Sequence, residues 1–154
     1  MSWLILKTSH AKETFVARQV ASYGYRIWMP AQIIVCRSAV SRRVTAKASP
    51  SIKELPILPR RFFAAIPDYR DGETQLEIQS IRHFDGFERD MEQRFALIPD
   101  AEIAAFKAAI DAENTASLAL HQKASRKQKA RWRALHEALV ELIDSAKQTM
   151  EQAA

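Results

Sequence analysis

The chain has 154 residues, of which 47% are hydrophobic and 27% charged, and its mean hydropathy is −0.25. This composition is typical of a folded soluble domain and excludes a disordered tail. No apolar run approaches the roughly 20 residues that a membrane helix requires, and the run Trp3-Leu4-Ile5-Leu6 is too short for a signal-peptide core. The single cysteine, Cys36, forms neither an internal disulfide nor a cysteine-based zinc site. We therefore expect a cytoplasmic protein with no membrane partner.

The net charge of +5 is unevenly distributed along the chain. Residues 37–61 contain seven basic side chains and one acid, whereas residues 65–120 contain twelve acids and five bases. Six further basic side chains lie within residues 123–133, with no acid among them. Two basic zones thus flank an acidic middle. Such zones are either solvated surface or contacts for the phosphates of nucleic acid.

Strands and a helix alternate at the beginning of the chain. Residues 2–7 are predicted to form a short apolar strand. Residues 11–23 have apolar side chains at helical spacing, and Gly24 is suited to the position that ends a helix. A second strand is predicted over residues 26–36, with a kink or bulge at Pro30 because proline cannot donate to a β-ladder.

The middle of the chain is predicted to alternate between irregular and extended segments. Residues 37–54 are polar and basic and are interpreted either as a flexible arm or as a protruding hairpin. Residues 60–66 form the next strand, residues 74–81 another short element, and residues 94–98 a last strand. The first two thirds of the chain are therefore mixed α and β.

The last third is predicted to be helical because all three glycines and all six prolines lie in the first hundred residues. One helix follows Asp100, with a break predicted at residues 111–115. A final helix of about 35 residues follows, with apolar side chains that alternate steps of three and four. This heptad-like seam consists of Trp132, Leu135, Leu139, Leu142, Ala146 and Met150. The seam either packs on the domain or joins two copies of the chain in a homodimer.

No pattern of catalytic or metal-binding residues is found. The histidines are scattered and lack ligand spacing, at His10, His83, His121 and His136. The sequence contains no nucleophile elbow and no phosphate-binding glycine loop. We therefore predict that the protein is not an enzyme and uses no metal or other cofactor.

Several landmarks stand in a specific order along residues 1–110. They are, in chain order, the strand led by Trp3, Glu13 early in the first helix, Gly24, Pro30, the segment Pro56-Ile57-Leu58-Pro59-Arg60-Arg61-Phe62-Phe63-Ala64, the pair Gly86-Phe87, and Pro99 followed by Ile103. In this order they resemble the N-terminal domain of the NusG-type transcription elongation factors. No single landmark is specific, but their order makes chance a poor explanation.

The resemblance implies an α+β fold in which a four-stranded antiparallel sheet is flanked by helices over residues 1–110. Residues 111–154 then form an all-helical extension, because they contain no glycine and cannot form the family's small KOW β-barrel. The family's domain binds the clamp helices of RNA polymerase and modulates pausing or termination, without catalysis. In one specialised branch, the C-terminal segment folds as a helical hairpin that masks the polymerase-binding face. The helices here are candidates for the same role.

The resemblance also indicates the contact face for RNA polymerase, which it assigns to Lys7, Leu58, Arg61 and Phe63. The family has a glycine and a tyrosine where this chain has Arg60 and Arg61, so the contact face is partly cationic and favours an acidic partner surface. Phe63 lies two residues from Arg61, and strand alternation places both on one face. If Arg61 is exposed, we expect Phe63 to be exposed as well.

Two groups of basic residues are candidates for nucleic-acid contacts. They are Arg42, Arg43 and Lys47 in the basic arm, and Lys123, Arg126, Lys127 and Arg131 in the basic helix, which we expect on one side of that helix. The helix is solvated surface, binds phosphates, or pairs with the acidic middle of the chain. Trp132 beside it either stacks on a base or, the favoured reading, anchors the seam. The alternative function is therefore that of a small basic nucleic-acid-binding protein that retains the fold without polymerase binding.

Overall fold

The computed structural model describes residues 2–36, 51–120 and 126–148. Several residues singled out above lie outside these ranges, namely Arg42, Arg43, Lys47, Lys123 and Met150. The described elements are β1 (Ser2–Thr8), α1 (Glu13–Ser22), β2 (Arg26–Trp28), β3 (Ala31–Cys36), β4 (Ser51–Pro56), β5 (Arg61–Ala65), α2 (Gly72–Gln79), β6 (Phe84–Phe87), β7 (Leu97–Pro99), α3 (Asp100–Leu120) and α4 (Arg126–Gln148). The chain therefore has the α+β composition that the sequence predicts.

The main sheet is antiparallel and has five strands rather than the four expected. β1 lies between β5 on one side and the two short strands β6 and β7 on the other, and β2 pairs with the outer edge of β5. The seven-residue β1 is long enough for both short strands to share one edge. β7 pairs with β1 near Ser2, and β6 pairs with it near Thr8. The fifth strand therefore arises from the length of β1.

Pro30 divides the segment that was predicted as one kinked strand. β2 ends at Trp28 and belongs to the main sheet, whereas β3 begins at Ala31 and pairs with β4 in a separate two-stranded sheet. The Pro30 carbonyl accepts a hydrogen bond from the Ile57 N–H at 2.9 Å. Of the basic segment 37–54, residues 37–50 lie outside the described residues, and residues 51–54 belong to β4, which pairs with β3.

The main sheet is covered by helices on both faces. On one face, called the α1/α2 face, Leu4, Leu6 and Phe62 pack with residues of α1 and α2. On the other, the α3/α4 face, Ile5 and Phe63 pack with residues of α3 and α4. Because side chains alternate along a strand, the unbroken apolar run at the start of β1 supplies both clusters.

Helix α3 runs without interruption from Asp100 to Leu120, so the break predicted at residues 111–115 is wrong. The polar residues that suggested a break are accommodated within the helix. The Thr115 hydroxyl donates to the Asp111 carbonyl one turn earlier, and the Asn114 side chain bonds to β3. The predicted domain boundary at residue 110 lies inside this helix, and α3 and α4 share one apolar cluster with the main sheet.

Candidate functional site

Two of the four residues assigned to the polymerase contact lie in the core. Phe63 is fully buried and Leu58 is 3% exposed. The Phe63 ring stacks on Trp28 at a centroid distance of 5.3 Å, and Trp132 and Leu139 of α4 belong to the same cluster. The expectation that Phe63 is exposed is therefore wrong. Strand alternation identifies the face of the sheet correctly, but it carries no information about the helix that covers that face.

The other two residues, Lys7 and Arg61, lie at the rim of the same face. They are direct neighbours across the β1–β5 pair, which brings two cations together. Arg61 Nε lies 3.2 Å from Glu88 Oε1, and its side chain is 32% exposed. Lys7 is half-buried. The predicted site is thus an apolar centre with a cationic rim.

Glu88 connects this rim to the terminal helix. Its side chain is 7% exposed, and Oε2 lies 3.0 Å from Nζ of Lys147 in the last turn of α4. The loop after Glu88 also contacts α4, because the Met91 N–H donates to the Lys147 carbonyl at 3.2 Å. Nothing in the sequence indicates this bridge, since Glu88 and Lys147 are far apart in the chain and neither belongs to a motif.

The turn before β5 has an unusual backbone conformation at Arg60. Its φ of 66° lies in the left-handed region that glycine adopts most readily. The Arg60 N–H donates to Oε1 of Glu13 at 2.7 Å, and Glu13 is 6% exposed. Arg60 occupies the position at which the family resembled by the sequence has glycine. Glu13 therefore fixes this turn in addition to lying in the first turn of α1.

The cations of the basic helix have different surroundings. Arg126 and Lys127 are exposed in the first turn of α4. Arg131 Nε lies 2.6 Å from Oε1 of Glu113 on α3, so this residue pairs with the acidic middle of the chain. Because Trp132 points into the core, helical geometry places Arg126 on one flank of α4 and both Lys127 and Arg131 on the other. Together the three span an arc of about 140° around the helix, which is compatible with the broad single side predicted, and Lys123 lies outside the described residues.

A different basic stripe follows from the same geometry. Lys129 and Arg133 are exposed and lie three and seven residues after Arg126, so these three cations share one flank of α4. The sequence interpretation did not select Lys129 and Arg133 as site residues. Which cations share a flank of α4 follows only from the orientation of the buried Trp132, and the sequence does not give that orientation.

The apolar seam of α4 packs against the main sheet of the same chain. Trp132 and Leu139 are buried against the α3/α4 face, and Leu135 and Leu142 are partly buried against the same cluster. Of the two readings of the seam, packing on the domain is therefore correct. The predicted homodimer cannot use these side chains while α4 is docked, because the sheet of the same chain occupies them.

The hairpin formed by β3 and β4 is attached to α3 by one side chain. Asn114 Nδ2 donates to the Ala31 carbonyl at 2.9 Å, and Asn114 Oδ1 accepts from the Ile33 N–H at 2.8 Å. This pair of bonds satisfies backbone groups of β3 on its unpaired edge. Asn114 was interpreted from sequence as part of a helix break, so its role was missed.

The described ranges contain neither a candidate metal site nor a candidate membrane-spanning helix. No group of three or more His, Cys, Asp or Glu side chains is placed to hold a metal ion there. None of the helices in those ranges has both the length and the apolar character needed to cross a membrane. Comparison with known proteins likewise gave no assignment, since the sequence matches no protein-family model and has no significant match to a curated protein.

Proposed function

We propose that the protein is a transcription elongation or antitermination factor that binds RNA polymerase through the α3/α4 face of its main sheet and modulates pausing or termination. The observation that carries the proposal is the left-handed conformation of Arg60. It occurs at the one position of the proline-bracketed strand where the resembled family has glycine. The antiparallel sheet with helices on both faces agrees with the same resemblance.

In the proposed function, helix α4 is the element that controls access to this face. Trp132, Leu139 and Ile143 occupy the apolar surface around Phe63. A protein partner reaches Phe63 and Trp28 only after these three side chains have left. The polymerase-binding form is therefore one in which α4 is displaced, and the docked form is inactive.

The chemistry of the uncovered face defines the partner surface it would fit. Its centre offers the stacked rings of Trp28 and Phe63, and its rim offers Lys7 and Arg61. When α4 leaves, Lys147 leaves with it, and Glu88 keeps only Arg61 as its ionic partner. An acidic helical surface with apolar side chains matches this combination, because guanidinium groups pair well with carboxylates.

The test measures binding of the full chain to core RNA polymerase. Leu139→Asp places a charge in the buried contact of α4 and should expose the face, whereas Ala134→Asp introduces the same charge on the exposed side of the same helix. We expect Leu139→Asp to bind about tenfold or more tightly than the Ala134→Asp control. Equal binding by the two variants would contradict control by α4.

A second pair of variants identifies the face. In the Leu139→Asp background, Arg61→Glu should abolish the gain in binding, whereas Arg18→Glu, an equal charge change on exposed α1, should leave it intact. Phe63→Ala is unsuitable for this purpose, because the Phe63 ring is buried against α4 and its removal changes the docking of α4 as well as the contact face. Absence of polymerase binding in every variant would overturn the proposed function.

The alternative function is that of a basic nucleic-acid-binding protein without polymerase binding. The observation that favours it is the exposed stripe of Arg126, Lys129 and Arg133 on α4. This reading predicts binding to duplex DNA that weakens steeply with salt and is lost when all three residues are changed to Glu. Changing the exposed residues Arg18, Arg82 and Lys107 to Glu makes the same change in net charge and tests whether net charge alone accounts for the loss.

A further inference from the structure

A groove of about 460 Å³ lies on the α1/α2 side of the sheet, where the loop after β6 meets the turn after β5. Three arginines line it, Arg70, Arg89 and Arg94, together with the aromatic rings of Tyr69 and Phe95. None of these residues belongs to the contact face considered above. The groove therefore combines cationic side chains with aromatic rings in one concave surface.

Two of the arginines lie against the two rings. Arg89 Cζ is 4.3 Å from the centroid of Phe95, and Arg70 Cζ is 5.5 Å from that of Tyr69. The rings themselves meet edge to face at 5.4 Å. Among the described residues, neither Arg70 nor Arg89 forms an ion pair with a carboxylate. Their charge is therefore available to an anionic ligand.

Arg94 has a different role in the groove. It forms ion pairs with Asp90 and Glu92, so these three side chains together carry a net charge of −1. Asp90 is 8% exposed, and its Oδ1 accepts the N–H groups of both Glu92 and Arg94 at 2.9 Å. This carboxylate is thus engaged in the loop, and the five side chains Arg70, Arg89, Arg94, Asp90 and Glu92 together keep a net charge of +1.

The backbone on both sides of the groove is held in place by hydrogen bonds. The Asp90 N–H donates to the Arg94 carbonyl at 2.8 Å, and Arg89 Nη1 donates to the Gln93 carbonyl at 3.0 Å. On the other side, Gln75 Nε2 donates to the Tyr69 carbonyl at 2.9 Å. The arginine–aromatic pairs are therefore presented on ordered turns, which lowers the entropic cost of binding a ligand.

We propose that this groove binds single-stranded nucleic acid. The guanidinium groups of Arg70 and Arg89 would contact phosphates, and their planar faces turned away from the Tyr69 and Phe95 rings would stack on exposed bases, with the rings supporting them from behind. A single strand is favoured over a duplex because these faces reach only bases that are not already stacked in a helix. The groove is on the opposite side of the sheet from α4, so binding does not require α4 to move and does not rest on the proposed polymerase contact.

The test uses the full chain and fluorescein-labelled oligothymidylate and oligouridylate, with binding followed by fluorescence anisotropy at low and moderate salt. Changing Arg70 and Arg89 together to Ala should weaken binding of one or both oligomers about tenfold or more. The matched control changes Arg18 and Lys107 to Ala, which removes the same charge from exposed positions on α1 and α3. The control should weaken binding by less than about threefold.

Two further measurements separate stacking from simple charge attraction. Changing Arg70 and Arg89 to Lys keeps the charge but removes the planar groups, and should restore only part of the affinity. Phe95→Leu, with its fold checked by circular dichroism, should weaken single-strand binding severalfold and leave duplex binding unchanged. Equal losses in the groove variant and the charge control, or equal affinity for single strands and duplex, would overturn the proposal, as would the absence of binding by the full chain.

Discussion

The two faces of the main sheet bury equivalent aromatic side chains, Phe62 on one and Phe63 on the other, but the layers that cover them differ in polarity. The α1/α2 face is closed by apolar contacts to residues such as Val16 and Ile78. The α3/α4 face is closed by apolar contacts at its centre and by charged contacts at its edge, through Glu88 to Arg61 and Lys147. An apolar centre inside a polar rim is the pattern of an interface between partners.

The two covering layers also differ in their buried polar atoms that lack a hydrogen-bond partner. Within the described part of the chain, two buried side-chain atoms lack a hydrogen-bond partner, Oε2 of Glu113 and Nε1 of Trp132. Both belong to the α3/α4 layer. An unpartnered buried donor such as Trp132 Nε1 costs about 1–3 kcal/mol, whereas the Glu113 carboxylate is paired with Arg131 through its other oxygen. The docking of α4 is therefore weaker than its buried apolar surface alone would suggest, which agrees with an element that can be displaced.

The largest effect is expected from a comparison of the two phenylalanines. Phe62→Ala should lower the free energy of unfolding by about 3–5 kcal/mol, because its ring is fully buried in the α1/α2 core. Phe63→Ala should instead release α4 before the rest of the chain unfolds. Urea unfolding gives the first quantity, and hydrogen exchange resolved by segment gives the second. Equal acceleration of exchange in α1 and α4 by Phe63→Ala would show that the two faces form one cooperative unit.

The next effect concerns α4 alone. Leu139→Asp should increase amide exchange in residues 126–148 about 100-fold, because a buried carboxylate without a partner costs about 3 kcal/mol or more. Exchange in α1 should change by less than about threefold. Ala134→Asp is the control for the charge itself. Loss of protection throughout the chain would count against a separable α4.

A smaller effect is expected at the charged rim. Glu88→Gln leaves Arg61 and Lys147 without their shared carboxylate, and should weaken the docking of α4 by about 1–2 kcal/mol. Amide exchange should increase chiefly in the last turns of α4, near Lys147. Glu137→Gln on the exposed side of α4 serves as the control. Unchanged exchange in Glu88→Gln would show that the charged rim does not stabilise the docked α4 and that the apolar centre alone holds it.

The smallest effect should be confined to the hairpin. Asn114→Ala removes two hydrogen bonds to β3, at a cost of about 1–2 kcal/mol, and should speed proteolysis between β3 and β4. Thr115→Ala, which affects a bond within α3 only, should not. The folding of the main sheet should be the same in both variants. Destabilisation of the whole chain by Asn114→Ala would mean that the hairpin is part of the core.

Local sequence patterns predicted the elements whose signals are local. The apolar run at β1 and the helical spacing of α1 have direct structural counterparts, whereas the one strand predicted over residues 26–36 is two strands in different sheets, divided at Pro30. β6 was missed because Phe84-Asp85-Gly86-Phe87 does not alternate, and its place is set by pairing with β1. The continuity of α3 was missed because the bonds of Asn114 are made to a distant strand.

The candidate site was harder to predict, for a physical reason. Alternation along β5 shows that Arg61 and Phe63 share a face, but burial of Phe63 depends on α4, about seventy residues later in the chain. The bridge from Glu88 to Lys147 and the groove between Arg70 and Arg89 likewise join segments that share no motif. Such contacts are properties of the tertiary structure, and one sequence without its fold does not contain a signal for them.

The way in which α3 and α4 join the sheet has a consequence for competition between α4 and a partner. Asp100 directly follows the last residue of β7, and its Oδ1 accepts a hydrogen bond from Trp3 Nε1 at 2.7 Å, so α3 is anchored to β1. Helix α4 is joined to α3 through residues 121–125 and belongs to the same molecule as the face it covers. Its docking loses no translational freedom, whereas an external protein loses freedom worth about 4 kcal/mol or more on binding. Any protein that takes the place of α4 must therefore form the stronger contacts.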